Sequence, residues 1–293
     1  MKKIKIGQLI LYAVLLSFTV ICLLPVILVA IISFTSEASL GANGYSFFPE
    51  QWSNEAWIYV WGLRDRLFQA YKVTIAKVAI ATVSQLLIES MLAYVLSRQN
   101  FLLRGLFTKI LLFTALFSGG MLSSYMINTS VYHLKDTFLI LCIPGVSMMH
   151  VVMMRTYIKG TISDSVIESV KMDGASDFRT YWQIVLPLMK PSLAAVGFMT
   201  CVGDWNDWVK GDLYITTASL KPLQNYLMSI ENYIASLNSE EMEAVAHLIA
   251  DTKVPADSTR MALLFTVLGP IMIAYPFFQK YFVKGLTVGA VKG

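Results

Sequence analysis

Apolar runs of membrane-crossing length recur along the chain, separated by short polar stretches. They cover Gln8 to Ser33, about Tyr71 to Leu96, about Leu106 to Tyr125, about Thr137 to Tyr157, Pro191 to about Trp208, and about Met261 to Tyr281. Roughly 20 apolar residues cross a bilayer as a helix. The pattern therefore predicts an all-α integral membrane protein with about six transmembrane helices. The first run is too long for the apolar stretch of a signal peptide and reads as a retained helix. Pro25 is expected to kink that helix. Pro144-Gly145 is expected to interrupt the fourth, and Gly269-Pro270 and Pro276 the sixth. Such breaks are tolerated where neighbouring helices or water satisfy the freed backbone groups.

The polar segment Asp164 to Pro191 stands out for its density of helix punctuation. Ser165 and Glu168 have the spacing of a capping box, in which each side chain satisfies a free backbone N–H at a helix start. Gly174 suits a left-handed helix stop. Ser176 suits the cap of a second helix through Phe178, Tyr181, Trp182, Ile184 and Val185, which Pro187 is expected to end. Pro191 fits the first turn of the next helix. Helices of two turns are unstable alone in water, so this pair needs something to pack on. Its own bundle and an external partner both remain open at this point.

Composition strengthens the membrane reading. Of 293 residues, 56% are hydrophobic and 14% charged, against about a quarter charged in soluble domains. The net charge of +4 is too small to suggest nucleic acid. Cys22, Cys142 and Cys201 lie in apolar runs without metal or redox spacing and read as buried, inert thiols. His133, His150 and His247 form no ligand cluster. No phosphate-cradling GxxxxGK[ST], HExxH or GxSxG motif occurs, so neither an ATPase, a catalytic residue nor a metal site is expected in this chain. Glu89 lies inside the second run. A membrane carboxylate must face protein or water, and Lys109 is its expected partner.

Basic residues choose the orientation. Lys2, Lys3 and Lys5, then Arg98 and Arg104, then Arg155, Lys159, Lys171, Arg179 and Lys190, and finally Lys280, Lys284 and Lys292 fall on one side. The opposite loops carry Glu240, Glu241, Glu243 and Asp251. The positive-inside rule places both termini and the 164–191 segment in the cytoplasm.

Glu168, Gly174 and Ile184-Val185-Leu186-Pro187 resemble the signature loop of bacterial ABC-importer permeases. There Glu-Ala-Ala, three residues, Gly and a spacer of nine lead to Ile-x-Leu-Pro. Asp173-Gly174-Ala175-Ser176 and Lys190-Pro191 are similar to the carbohydrate branch, which includes the maltose permeases. Ser169 and Val170 replace the usual alanines. Ala93 to Arg98, Phe117 to Gly120, Met154 to Thr156 and Gln279 to Gly285 look like further family blocks. The ending Gly289-Ala290-Val291-Lys292-Gly293 is similar to oligosaccharide and aldouronate permeases.

The resemblance implies a type I importer permease in the cytoplasmic membrane, with residues 1–70 as first helix and outer loop, 71–282 as permease core and 283–293 as tail. It implies coupling to a separate ATPase, which holds ATP and Mg, through Glu168, Ser169, Val170, Asp173, Gly174, Ala175, Ile184, Leu186 and Pro187. A second, different permease subunit, an extracytoplasmic sugar-binding protein and membrane lipid are the other implied partners. The loop Tyr214 to Asp257, with a packed helix starting at Pro222 to Tyr226, is expected to meet the binding protein. Trp205 and Asn206 are the candidates for the substrate path or gate. An ion-coupled transporter using Glu89 is the alternative. A membrane-embedded enzyme is a third class, without a nucleophile or metal set to support it.

Overall fold

The first apolar run forms one unbroken helix, α1 (Ile6–Ser33), continuous through Pro25. In this computed structural model residues 6–237 and 256–290 are described. Lys2, Lys3, Lys5, Glu240, Glu241, Glu243, His247, Asp251 and Lys292 lie outside them. The architecture is all-α. Among the described residues no strand occurs, and the only extended pairing is an isolated bridge between Thr35 and Trp52.

After α1 come two short helices, α2 (Glu37–Asn43) and α3 (Glu55–Gly62), then α4 (Arg64–Ser97), which contains the second expected span. α1 and α4 are both long and apolar enough to cross a membrane. The third expected span is not one straight helix. α5 (Arg104–Leu116) and α6 (Gly120–Met126), the latter continued by a π turn at Ile127–Val131, meet at 111°. Gly120 sits at φ +81°, a conformation that costs glycine little and other residues more.

The fourth span is broken where Pro144-Gly145 predicts. α7 (Phe138–Cys142) and α8 (Met148–Thr161) lie on either side of residues 143–147. Next come α9 (Asp164–Met172) and α10 (Asp177–Thr180), then a π turn at Tyr181–Val185 and α11 (Leu186–Leu188). α12 (Lys190–Asn206) follows at a 79° bend. α13 (Val209–Tyr214) and α14 (Leu223–Leu237) come before the last helix, α15 (Ala256–Ala290). α15 passes through Gly269-Pro270 and Pro276 without a break. A proline deletes one rung of the helical ladder, and the other rungs of this 35-residue helix carry it past both. The helix also crosses the expected tail boundary at 282–283.

The chain divides into two compact units. One takes in residues 1–68 and 226–270, the other 69–225 and 271–293. In the first, Trp57 stacks on Phe34 at 5.4 Å, meets Phe265 edge-on and donates from Nε1 to Ser33 Oγ. The Glu37 carboxylate accepts from the Asp257 and Ser258 backbone N–H groups and from Ser258 Oγ. It thereby places an anion at the N-terminal end of α15, where free donors and the helix dipole favour one.

The core of the second unit joins Ala93, Tyr94 and Leu96 of α4 to Val151, Met154 and Ile158 of α8. Ile167, Tyr181, Val185 and Met189 from the 164–191 segment, with Ile162 before it and Val196 of α12, complete it. A smaller cluster gathers Val73, Ile140, Leu141, Tyr214 and Ile215. The thiols do not share one environment: Cys142 is buried, Cys201 half-buried and Cys22 exposed on α1.

Candidate functional site

The 164–191 segment is a helix–turn–helix clamped to one end of α4. Its turn follows from Gly174 at φ +81°. The Ala175 N–H reaches back to the Val170 carbonyl and the Gly174 N–H to Lys171, the paired bonds of a Schellman stop. Ser176 then caps α10, accepting from the Arg179 N–H at 3.3 Å. Lys171 and Asp177 meet across the turn at 2.6 Å.

Two expectations for this segment fail. Ser165 and Glu168 form no capping box. α9 begins two residues earlier than that box requires, at Asp164 after Ser163, so Ser165 is already inside the first turn and its hydroxyl pairs with that of Ser163. Pro187 does not end the second helix. The Leu186 N–H bonds Tyr181 in a widened turn just before the proline, and the helix runs on to Leu188. Such π turns admit local irregularity inside a helix.

Three contacts hold the segment to α4. Arg98 donates to Asp164 at 2.9 Å and lies over the Tyr94 ring. Tyr94 packs on Tyr181 at 5.8 Å between ring centres. The Tyr181 hydroxyl pairs with Ser90 Oγ at 2.7 Å. Ile167 is buried beneath α9. Other apolar groups of the segment have no cover: Met172 is 88% exposed, Phe178 67% and Val166 42%. Contiguous exposed apolar patches accompany interaction surfaces. Glu168, Ser169, Asp173 and Gly174 are exposed on this segment, Val170 and Ala175 half-exposed. Beyond the turn, Ile184 and Leu186 are half-buried and Pro187 exposed.

Further along α4, Glu89 is fully buried and does not meet Lys109, which is exposed on α5. The Glu89 carboxylate accepts from Gln85 Nε2 at 2.9 Å and from the Ser147 N–H at 2.7 Å, and it lies 3.1 Å from His150 Nδ1. Ser147 is the residue before α8, and no side chain of its own caps that helix. On the other side of the break, Lys210 donates to the Ile143 carbonyl at 3.0 Å. The carbonyl end of α7 thus faces a cation and the N–H end of α8 an anion, as the dipoles of two half-helices favour.

The far part of α4 holds Lys77, a residue to which the sequence reading gave no role. It is fully buried, donates to the Asp207 carbonyl at 2.8 Å and lies 3.5 Å from its carboxylate. Its signal in the sequence is a lysine inside an apolar run, matched by Asp204 and Asp207 at the end of another. Thr74 accepts from the Leu223 N–H at the start of α14, where the packed helix was expected. Gly211 allows the close approach that follows, since a Cβ there would run into the Asn225 amide. Trp205 is buried, with its ring 6.4 Å from that of Tyr71. Asn206 is exposed, donates to the Val202 carbonyl and accepts from Gln224. α4 therefore makes polar contacts from Thr74 to Ser90, about 24 Å at 1.5 Å per residue, and Arg98 adds one just past its end.

No family model matches the chain. It is 28% identical over 292 residues to the polygalacturonan/rhamnogalacturonan transport system permease protein YtcP of Bacillus subtilis, covering 99% of this chain and 100% of that one. It is 30% identical over 274 residues to protein LplC of the same organism, covering 93% and 90%. The solved structure of a bacterial ABC transporter involved in the import of the acidic polysaccharide alginate contains a chain that matches with a TM-score of 0.77. Identity there is 28%, with 96% of this chain and 100% of that one covered.

Proposed function

Since this chain belongs to the permease subunits of bacterial carbohydrate ABC importers, we propose that it moves oligosaccharide across the cytoplasmic membrane by alternating access, with the 164–188 segment as its coupling element. The chain is a transport subunit, not an enzyme, and works with ATPase subunits, a second permease and a substrate-binding protein. In this reading the ATPases hold ATP and Mg. They seat against Glu168, Ser169, Val170, Asp173, Gly174 and Ala175, while Ile184, Leu186 and Pro187 shape the second helix. The second permease is a different subunit. The termini and the coupling segment face the cytoplasm, and the loop around α14 faces the binding protein. Asn206 lies on the substrate path, with Trp205 packed behind it.

The observation that carries this reading is how the segment divides its apolar groups. Ile167, Tyr181 and Val185 are buried in its own bundle while Met172 and Phe178 stand uncovered. An ion-coupled reading would rest on Glu89, whose carboxylate is already engaged by Gln85, Ser147 and His150.

The test is reconstitution in liposomes with the ATPase, the partner permease and the binding protein. Uptake of oligosaccharide driven by ATP, and absent with an ion gradient alone, is expected. Gradient-driven uptake by the purified chain would overturn the reading.

A further inference from the structure

We infer that Glu89 is a positioning residue for coupling: it binds α8 to α4 so that movement of the coupling segment passes into the broken fourth span. The inference rests on the permease reading. A carboxylate inside an apolar span costs several kcal/mol of desolvation unless it is fully bonded, and Glu89 is fully buried. Its bonds reach two helices. Gln85 lies one turn away on α4 itself. The Ser147 N–H and the His150 ring belong to the start of α8. Glu89 thus satisfies the backbone N–H of Ser147, the N-cap residue of α8, from another helix.

The placement has a mechanical consequence. α8 leads through Ile162 and Ser163 directly into α9. Val151, Met154 and Ile158 pack α8 on α4, but apolar contacts alone resist sliding weakly, because one apolar surface replaces another. Directed bonds do not slide. Glu89 fixes α8 to α4 at one level and Arg98–Asp164 fixes α9 to α4 at another. With both in place, a push on α9 cannot be absorbed by α8 slipping along α4. Beyond α8, the next non-helical backbone is the stretch 143–147; on its far side Lys210 holds the Ile143 carbonyl, and Ile140 and Leu141 pack with Val73, Tyr214 and Ile215.

The experiment uses the complete complex in liposomes and reads ATP hydrolysed per sugar imported, with assembled complex quantified. Glu89→Leu keeps the volume and removes every acceptor. Hydrogen bonds to a charged group are worth about 1.5–3 kcal/mol, so the ATP-to-sugar ratio is expected to rise at least about tenfold while assembly and basal hydrolysis persist. Glu89→Asp, which keeps the charge, is expected to restore part of the coupling. A wild-type ratio in assembled Glu89→Leu complex would overturn the inference. Should that variant not assemble, Glu89→Gln decides. It keeps the shape and one acceptor oxygen, and a ratio raised by about threefold is expected from the weaker neutral bonds; an unchanged ratio overturns the inference. A wild-type complex that imports no oligosaccharide on ATP would instead remove the permease reading on which it rests.

Discussion

Arg98, just past the last turn of α4, meets Asp164, the first residue of α9, at 2.9 Å. Asp164 is over half exposed, and ion pairs of that kind contribute about 0–1 kcal/mol to stability. The value of this pair lies in where it ties the chain. Arg98→Ala is expected to shift thermal stability by less than about 1 kcal/mol. Uptake should fall by about threefold to tenfold, as coupling contributions of that order do. The exchange Arg98→Asp with Asp164→Arg should recover part of the loss. Uptake at matched expression checks both arms.

Gly174 tests the turn. A Cβ there would find nothing of this chain within 4 Å, so the penalty within the chain comes from φ +81°. Gly174→Leu carries about 1–2 kcal/mol of left-handed strain, enough to reduce uptake by roughly tenfold with the protein still in the membrane. Asparagine visits this conformation more readily. Gly174→Asn should therefore retain most of the uptake, measured in the same vesicles.

Asp136 gives a pH dependence. Its carboxylate accepts from the Thr217 hydroxyl and from the Thr216 and Thr217 N–H groups, and the Thr217 bonds hold its pKa down at about 2. A folded-state pKa below the unfolded one stabilises above the unfolded value and loses that contribution as pH falls through the folded value. The 136–217 contact should therefore persist at pH 4 and be about half lost near pH 2. Asp136→Asn, which tolerates the left-handed φ of 57° and keeps one acceptor oxygen for the two N–H groups, should make the contact weaker and independent of pH. Hydrogen exchange at the Thr216 and Thr217 amides reads both.

Trp205 and Asn206 separate packing from transport. Trp205 is buried, and truncating such a side chain to alanine costs about 3–5 kcal/mol. Trp205→Ala should lower the melting temperature first. Asn206→Ala should lower uptake while leaving assembly and basal ATP hydrolysis measurable. Uptake at the wild-type rate across sugar concentrations would make the exposed amide a bystander.

Local rules made part of this fold legible. Gly174, Ser176, Pro191 and Pro144-Gly145 each act through their own backbone, and each sits where its chemistry demands. Prolines inside apolar helices were less informative: Pro25, Pro187, Pro270 and Pro276 are all carried within helices. Long-range pairing was not legible. Lys109 and Glu89 lie at similar depth along their runs, but depth does not give helix rotation, and α5 turns Lys109 outward. The carboxylate instead meets a backbone N–H, which no side-chain pattern announces. Glu37 at the start of α15 repeats the lesson: both acids accept from backbone N–H groups at the start of a helix other than their own. Lys77 was visible as a charge in an apolar run, yet its partner Asp207 is far away in sequence.

The most direct test of the coupling element is contact. A photoreactive side chain is placed at Met172 or Phe178 in complexes that still import sugar. With the uncovered apolar groups of α9 and α10 as the seat of the ATPase, light should yield an adduct between this chain and the ATPase subunit from both positions, and none from Phe48, the 90% exposed side chain in the loop between α2 and α3. Import-competent complexes that give no ATPase adduct from either Met172 or Phe178 would contradict it.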